Sequence, residues 1–107
     1  MKNISVCVVG AGRWGTNHIN TLSDLGVRVG IVESDTNKKN NLENFFSNKA
    51  LFNSLDDAFE QNFDAYIIAT PPNTHFDIAK KVLSNNKPVL VEKPLALSVK
   101  DGQELLK

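Results

Sequence analysis

Short apolar runs alternate along this chain with stretches whose apolar residues recur at helical spacing. Ile4 to Val9, Val27 to Val32 and the A-Y-I-I-A segment within 64–70 are apolar and rich in β-branched residues. Such runs fit strands buried on both faces. Ala50 to Phe52 and Val89 to Val91 make shorter strand candidates. Between them, Trp14, Ile19, Leu22 and Leu25 mark a first helix, which Gly26 closes. Leu42, Phe45 and Phe46 mark a second, and Leu55, Ala58 and Phe59 a third that Ser54 caps. Phe76, Ala79, Val82 and Leu83 mark a fourth, which Asn73 is expected to cap and Asn85 or Asn86 to end in a left-handed conformation. Ser98 starts a last helix carrying Leu105 and Leu106. The order β-α-β-α-β-α-β-α-β-α predicts an α/β fold, a Rossmann-type doubly wound parallel sheet in a single domain.

The first strand ends in a motif. Gly10, Gly12 and Gly15 spell G-x-G-x-x-G at a strand-to-helix junction. Gly10 permits the tight turn, Gly12 lets a pyrophosphate approach the backbone, and Gly15 lets the helix pack close to the strand. The helix start offers unpaired N–H groups and a positive dipole end. Glycine is common, so the weight lies in the position, with a strand before and a helix after.

Composition narrows the setting. The 107 residues amount to one domain, and 41% hydrophobic with 22% charged residues is ordinary for a globular chain. Twelve basic and twelve acidic residues cancel, leaving no basic field for nucleic acid. No apolar run approaches membrane-spanning length, and the start shows no secretory pattern. The one cysteine, Cys7, lies inside an apolar strand and reads as a buried, inert thiol. A reducing cytoplasm fits. The two histidines, with no cysteine or acid at ligand spacing, make no zinc site, so no metal is expected.

Ligands of such sheets bind outside the carboxyl ends of the strands. Four polar or turn-forming segments fall there: the glycine turn, Glu33, T-P-P-N-T-H at 70–75 and E-K-P at 92–94. Glu33, 23 residues beyond Gly10, is placed to accept hydrogen bonds from ribose hydroxyls and to repel a 2′-phosphate, which predicts NAD over NADP. The alternative is a solvated acid. Ser34 can assist Glu33, and Asp35 can cap the next helix. The backbone of Arg13 and Trp14 faces the phosphate position. The Arg13 side chain either adds a charge-assisted contact or is exposed, and Trp14 fits helix-to-sheet packing. His18 reads as structural. His75, in the first turn of a helix, is expected neutral and hydrogen-bonding, either at the cofactor or within the fold. Residue type alone makes Lys93 a surface lysine. Its place at a strand tip, fixed by Pro94, makes it a cation that favours a developing alkoxide or relays its proton. Glu92 can bond a ribose hydroxyl or pair with Lys93.

G-A-G-R-W-G, A-T-P-P-N-T-H and V-E-K-P-L, in this order and spacing, resemble the N-terminal domain of the glucose–fructose oxidoreductase, inositol 2-dehydrogenase and rhizopine-catabolism (Gfo/Idh/MocA) family. The resemblance covers nearly the whole chain. It implies NAD(P)-dependent hydride transfer at a hydroxyl of a sugar, nucleotide-sugar or polyol, in a homo-oligomer. It assigns the pyrophosphate loop to Gly10, Gly12 and Gly15 and the ribose position to Glu33, where the family more often has Asp. Thr70, Pro71, Asn73 and His75 line the cofactor cleft, and Glu92 and Lys93 take the catalytic-motif positions, with Lys93 as the catalytic residue. It also implies a cis Lys93–Pro94 bond. W-G-T-N is reminiscent of members acting on nucleotide-activated sugars. Residues 1–107 hold no counterpart of the family's C-terminal substrate domain. They are expected to be a truncated dinucleotide-binding domain with little turnover alone. The competing expectation is a non-catalytic dinucleotide-binding or redox-sensing module; a flavin or S-adenosylmethionine domain would leave Lys93 unexplained.

Overall fold

The apolar runs pair side by side in a computed structural model, which describes residues 4–35, 51–91 and 103–105, with Arg13 and Trp14 described in backbone only. Strands β1 (Ser5–Val9), β2 (Arg28–Val32), β3 (Leu51–Phe52), β4 (Ala65–Ile68) and β5 (Val89–Val91) form one sheet in the order β3-β2-β1-β4-β5. Every pairing is parallel. Helices α1 (Arg13–Asp24), α2 (Leu55–Phe59) and α3 (His75–Ser84) connect them, with a 3-10 turn at Pro72–Thr74 before α3. The order reverses on either side of β1, which makes a topological switch point between β1 and β4. The second helix expected around Leu42–Phe46 and the start of the last helix at Ser98 lie outside the described residues. Residues 103–105 are helical, and Glu104 pairs with Lys80 of α3 at 3.2 Å.

Period-two alternation sends the two halves of β1 to opposite cores. Val6 and Val8 join Ala11, Ile19, Ile31, Leu51 and Ile67 beneath α1. Cys7 and Val9 join Val32, Ala58, Phe63, Tyr66 and Val82 beneath α2 and α3. All five residues of β1 are buried, so the sheet is covered on both sides at its centre. Burial pushes the Cys7 thiol up to about 12, which makes it the inert core residue expected. The Tyr66 hydroxyl is buried with no hydrogen-bond partner, a local cost against the packing of its ring on Phe59 and Phe63.

The helix ends follow from side-chain chemistry. Ser54 Oγ accepts from the Asp57 N–H at 3.2 Å, the cap expected for α2. Gly26 at φ +79° closes α1, with its N–H on Ser23 O and the Val27 N–H on Leu22 O. Asn86 at φ +60° closes α3 in the same way, using Leu83 O and Val82 O. One expectation needs correction. Asn73 does not cap α3. The 3-10 turn occupies 72–74, so the residue preceding the helix is Thr74, and Asn73 is exposed.

A glycine within β2 has a role the sequence does not announce. A Cβ on Gly30 would lie 2.1 Å from Phe63 Cζ, so the Phe63 ring packs directly on bare backbone. At the opposite end of the sheet from the glycine turn, Asp64 Oδ2 accepts from the Ser5 N–H at 2.8 Å and from Ser5 Oγ at 3.2 Å. These bonds hold the Asp64 carboxyl below its usual range.

Candidate cofactor site

Gly10 adopts φ +96°, which the turn after β1 requires and other residues rarely reach. Gly15 is fixed by contact: a Cβ there would sit 1.9 Å from the Gly10 carbonyl oxygen. The first turn of α1 therefore lies directly on the turn after β1. Gly12 differs from both. Among the described residues nothing lies within 4 Å of where its Cβ would be, and it is the capping residue of α1 with no side-chain cap. No acidic residue occupies the first turn. Helix α1 thus begins with neither a side-chain cap nor an acid of its own first turn, which leaves its N–H groups and positive end for a ligand.

The space beside Gly12 is a cleft of about 490 Å³ across the carboxyl ends of the strands. The β1 turn contributes Gly10, Ala11 and Gly12; the β2 tip contributes Glu33 and Ser34. The β4 tip adds Ala69, Thr70 and Pro71, with Thr74 and Ile78 from the 3-10 turn and α3. A larger hollow of about 620 Å³ lies along α2 and α3, lined by Asp56, Asp77, Lys80 and Lys81 among others. It touches no strand tip and no glycine turn, so volume does not select the site; the open helix start does.

Glu33 is 9% exposed and lines the cleft. Its Oε1 accepts from the Ala11 N–H at 2.8 Å and its Oε2 from the Asp35 N–H at 2.9 Å. The carboxylate is thereby aimed, and each oxygen keeps a further lone pair for a ligand donor. The solvated-acid alternative does not describe this residue.

Of the residues singled out in the sequence, Gly10, Gly12, Glu33, Ser34, Thr70 and Pro71 line the cleft. Gly15 supports it from behind. Asn73 and His75 are not on its lining. His75 is 1% exposed, and its Nε2 lies 2.7 Å from the Thr70 carbonyl oxygen, so Nε2 carries the proton and holds the β4 turn. Glu92, Lys93 and Pro94 lie outside the described residues, as do the side chains of Arg13 and Trp14. Ala11, Ala69, Thr74 and Ile78 are lining residues that sequence reasoning missed. Ala11, Ala69 and Thr74 stand inside the quoted motifs without an assigned role, and Ile78 lies outside them. Among the described residues, no three side chains gather as metal ligands, and no helix is long and apolar enough to cross a membrane.

A parallel doubly wound sheet with an uncapped helix start facing an aimed acid at the next strand tip defines a dinucleotide-binding Rossmann domain. Residues 4–107 match the model of the Gfo/Idh/MocA oxidoreductase family, NAD-binding Rossmann fold, and the chain belongs to that family. It is 32% identical over 111 residues to inositol 2-dehydrogenase 1 of Mycolicibacterium vanbaalenii, covering 100% of this chain and 32% of that relative. The WlbA dehydrogenase of Bordetella pertussis, solved with NADH and UDP-GlcNAcA, superposes with a TM-score of 0.85 at 29% identity, over 98% of this chain and 34% of that one. GenD2 from gentamicin A biosynthesis, solved with NAD, gives 0.85 at 32% identity, over 98% and 31%. The chain therefore spans about a third of the length of these relatives.

Proposed function

We propose that this chain is the cofactor-binding part of an NAD-dependent dehydrogenase that oxidises or reduces a hydroxyl-bearing carbon of a polyol, sugar or nucleotide-sugar. The observation that carries it is the open space at Gly12 opposite Glu33. The space is a cradle that a side chain would fill, at the start of α1, which unlike α2 and α3 has neither a side-chain cap nor an acid in its first turn. A pyrophosphate fits those N–H groups, and an adenosine ribose fits the free lone pairs of Glu33. The Glu33 carboxylate disfavours a 2′-phosphate, so the cofactor is NAD rather than NADP.

The bound nicotinamide supplies the hydride acceptor or donor. The chain's own residues do the rest. The α1 start binds the phosphates, Glu33 orients the adenosine half, and His75 fixes the turn bearing Thr70 and Pro71. Ser34 and the Arg13 and Trp14 backbone complete the adenine and phosphate contacts, and Asn73 borders the β4 turn. Glu92 bonds a ribose hydroxyl. Lys93 is the catalytic residue, placing a positive charge at the substrate hydroxyl, holding its oxygen and relaying its proton. Inositol 2-dehydrogenase and WlbA, with its nucleotide-sugar, support that substrate class. The substrate cradle belongs to sequence outside this third of the relatives' length, and the whole protein works as a homo-oligomer in the cytoplasm.

Titration of the chain with NAD+ and NADP+ by isothermal calorimetry tests the cofactor. Tighter binding of NAD+ is expected, and equal binding takes cofactor choice away from Glu33. In a full-length relative, the lysine of the E-K-P motif changed to alanine is expected to abolish turnover while retaining NAD+ binding. Unchanged turnover takes that lysine out of the chemistry.

A further inference from the structure

The two walls of the cleft offer opposite hydrogen-bonding partners. At the α1 start the backbone presents donors. At the β4 tip the protons point away. Thr74 Oγ1 lies 2.6 Å from the Pro71 carbonyl oxygen and 2.6 Å from Thr70 Oγ1. A carbonyl oxygen carries no proton, so the Thr74 hydroxyl donates to Pro71. The proton between the two threonines then belongs to Thr70. The Thr70 methyl is held from the other side, because a Cβ on Gly10 would sit 2.9 Å from it. The rotamer is thus fixed by a methyl against Gly10 and a hydroxyl against Thr74. The two residues that follow Thr70 add no backbone donor. Thr70 O accepts from His75, and Pro71 and Pro72 have no N–H.

We propose that Thr74 is a positioning residue that makes the Thr70 hydroxyl an acceptor only, so that this oxygen takes a ligand hydroxyl and not a phosphate oxygen. The proposal rests on the dinucleotide reading and sharpens it. Because β1 lies between β2 and β4, the cleft runs from acceptor (Glu33) through donors (the Gly12 turn) to acceptor (Thr70). A ribose–pyrophosphate–ribose ligand presents the complementary series. A mononucleotide satisfies only two of the three. The hydroxyl that Thr70 accepts is therefore on the second ribose, the one bearing the nicotinamide.

Calorimetric titration of the chain with NAD+ and with ADP, which lacks the second ribose, tests this. Thr74→Val frees the Thr70 proton and is expected to weaken NAD+ about fivefold while leaving ADP unchanged. Thr70→Val is expected to do the same, and Thr74→Ser to bind both as the unaltered chain does. The proposal is overturned if Thr74→Val leaves NAD+ binding intact, if ADP weakens by the same factor, or if Thr74→Ser is as weak as Thr74→Val. An unaltered chain that binds neither nucleotide overturns the dinucleotide reading, and this proposal with it.

Discussion

The Glu33 carboxylate lies 2.8 Å from the Ala11 N–H, so the tip of β2 and the turn after β1 are tied into one unit before any ligand arrives. One side chain thereby shapes the glycine turn and, in the proposed role, receives the adenosine ribose.

Glu33→Ala removes both functions. NAD+ affinity should fall by about 2 kcal/mol or more, since hydrogen bonds to a charged group are lost along with the loop's anchor. Glu33→Gln keeps an acceptor for the Ala11 N–H but lowers the charge, and should lose less. Both should narrow the preference for NAD+ over NADP+, which parallel titrations would measure. Retained preference in Glu33→Ala would place cofactor choice elsewhere.

The three glycines of the turn separate by mechanism, and alanine substitutions should show it. Gly15→Ala puts a methyl within bonding range of the Gly10 carbonyl oxygen and must push α1 off the sheet. Its denaturant midpoint should drop steeply. Gly12→Ala meets no atom of the described residues, so the midpoint should hardly move while NAD+ binding is lost. A Gly12→Ala chain that unfolds like Gly15→Ala, or one that binds NAD+ normally, would contradict the assigned roles.

Much of this was legible because the central strands β1 and β4 are buried on both faces and so read as unbroken apolar runs. The alternation Val6/Val8 against Cys7/Val9 is invisible in such a run, yet the topology makes it inevitable. Ser54, Gly26 and Asn86 were legible for local reasons, since capping depends on a few neighbouring residues. Asn73 misled because spacing does not reveal that a 3-10 turn precedes α3 and shifts the helix start to Thr74. His75 left its role open because the Thr70 carbonyl it holds is defined by the folded turn. Gly30 was silent, since its partner Phe63 lies 33 residues away in sequence and meets it only through the sheet.

That long-range contact predicts a coupled pair. Gly30→Ala should cost about 1–3 kcal/mol through overpacking against the Phe63 ring. Phe63→Ala should cost about 3–5 kcal/mol through the cavity it leaves. In the double variant the new methyl enters part of that cavity, so the loss should be smaller than the sum of the two. Urea unfolding of all four chains closes the cycle, and strict additivity would mean the ring and the glycine do not share that space.

Acid should loosen the end of the sheet remote from the cleft. Asp64 accepts from the Ser5 N–H and hydroxyl, and these bonds hold its folded pKa below the ordinary 3.8, with Lys87 adding a smaller attraction. A carboxyl that is more acidic when folded contributes stability above its unfolded pKa and loses it as pH falls through the folded value. Asp64→Asn should therefore be less stable than the unaltered chain at neutral pH, with the gap closing below about pH 4. Urea midpoints of both chains at a series of pH values would measure it. NAD+ binding at neutral pH should stay unchanged, because Ser5 and Asp64 sit at the opposite ends of their strands from Gly10 and Thr70. A gap that stays constant from pH 7 to pH 3 would show that the carboxylate charge does not hold the clamp.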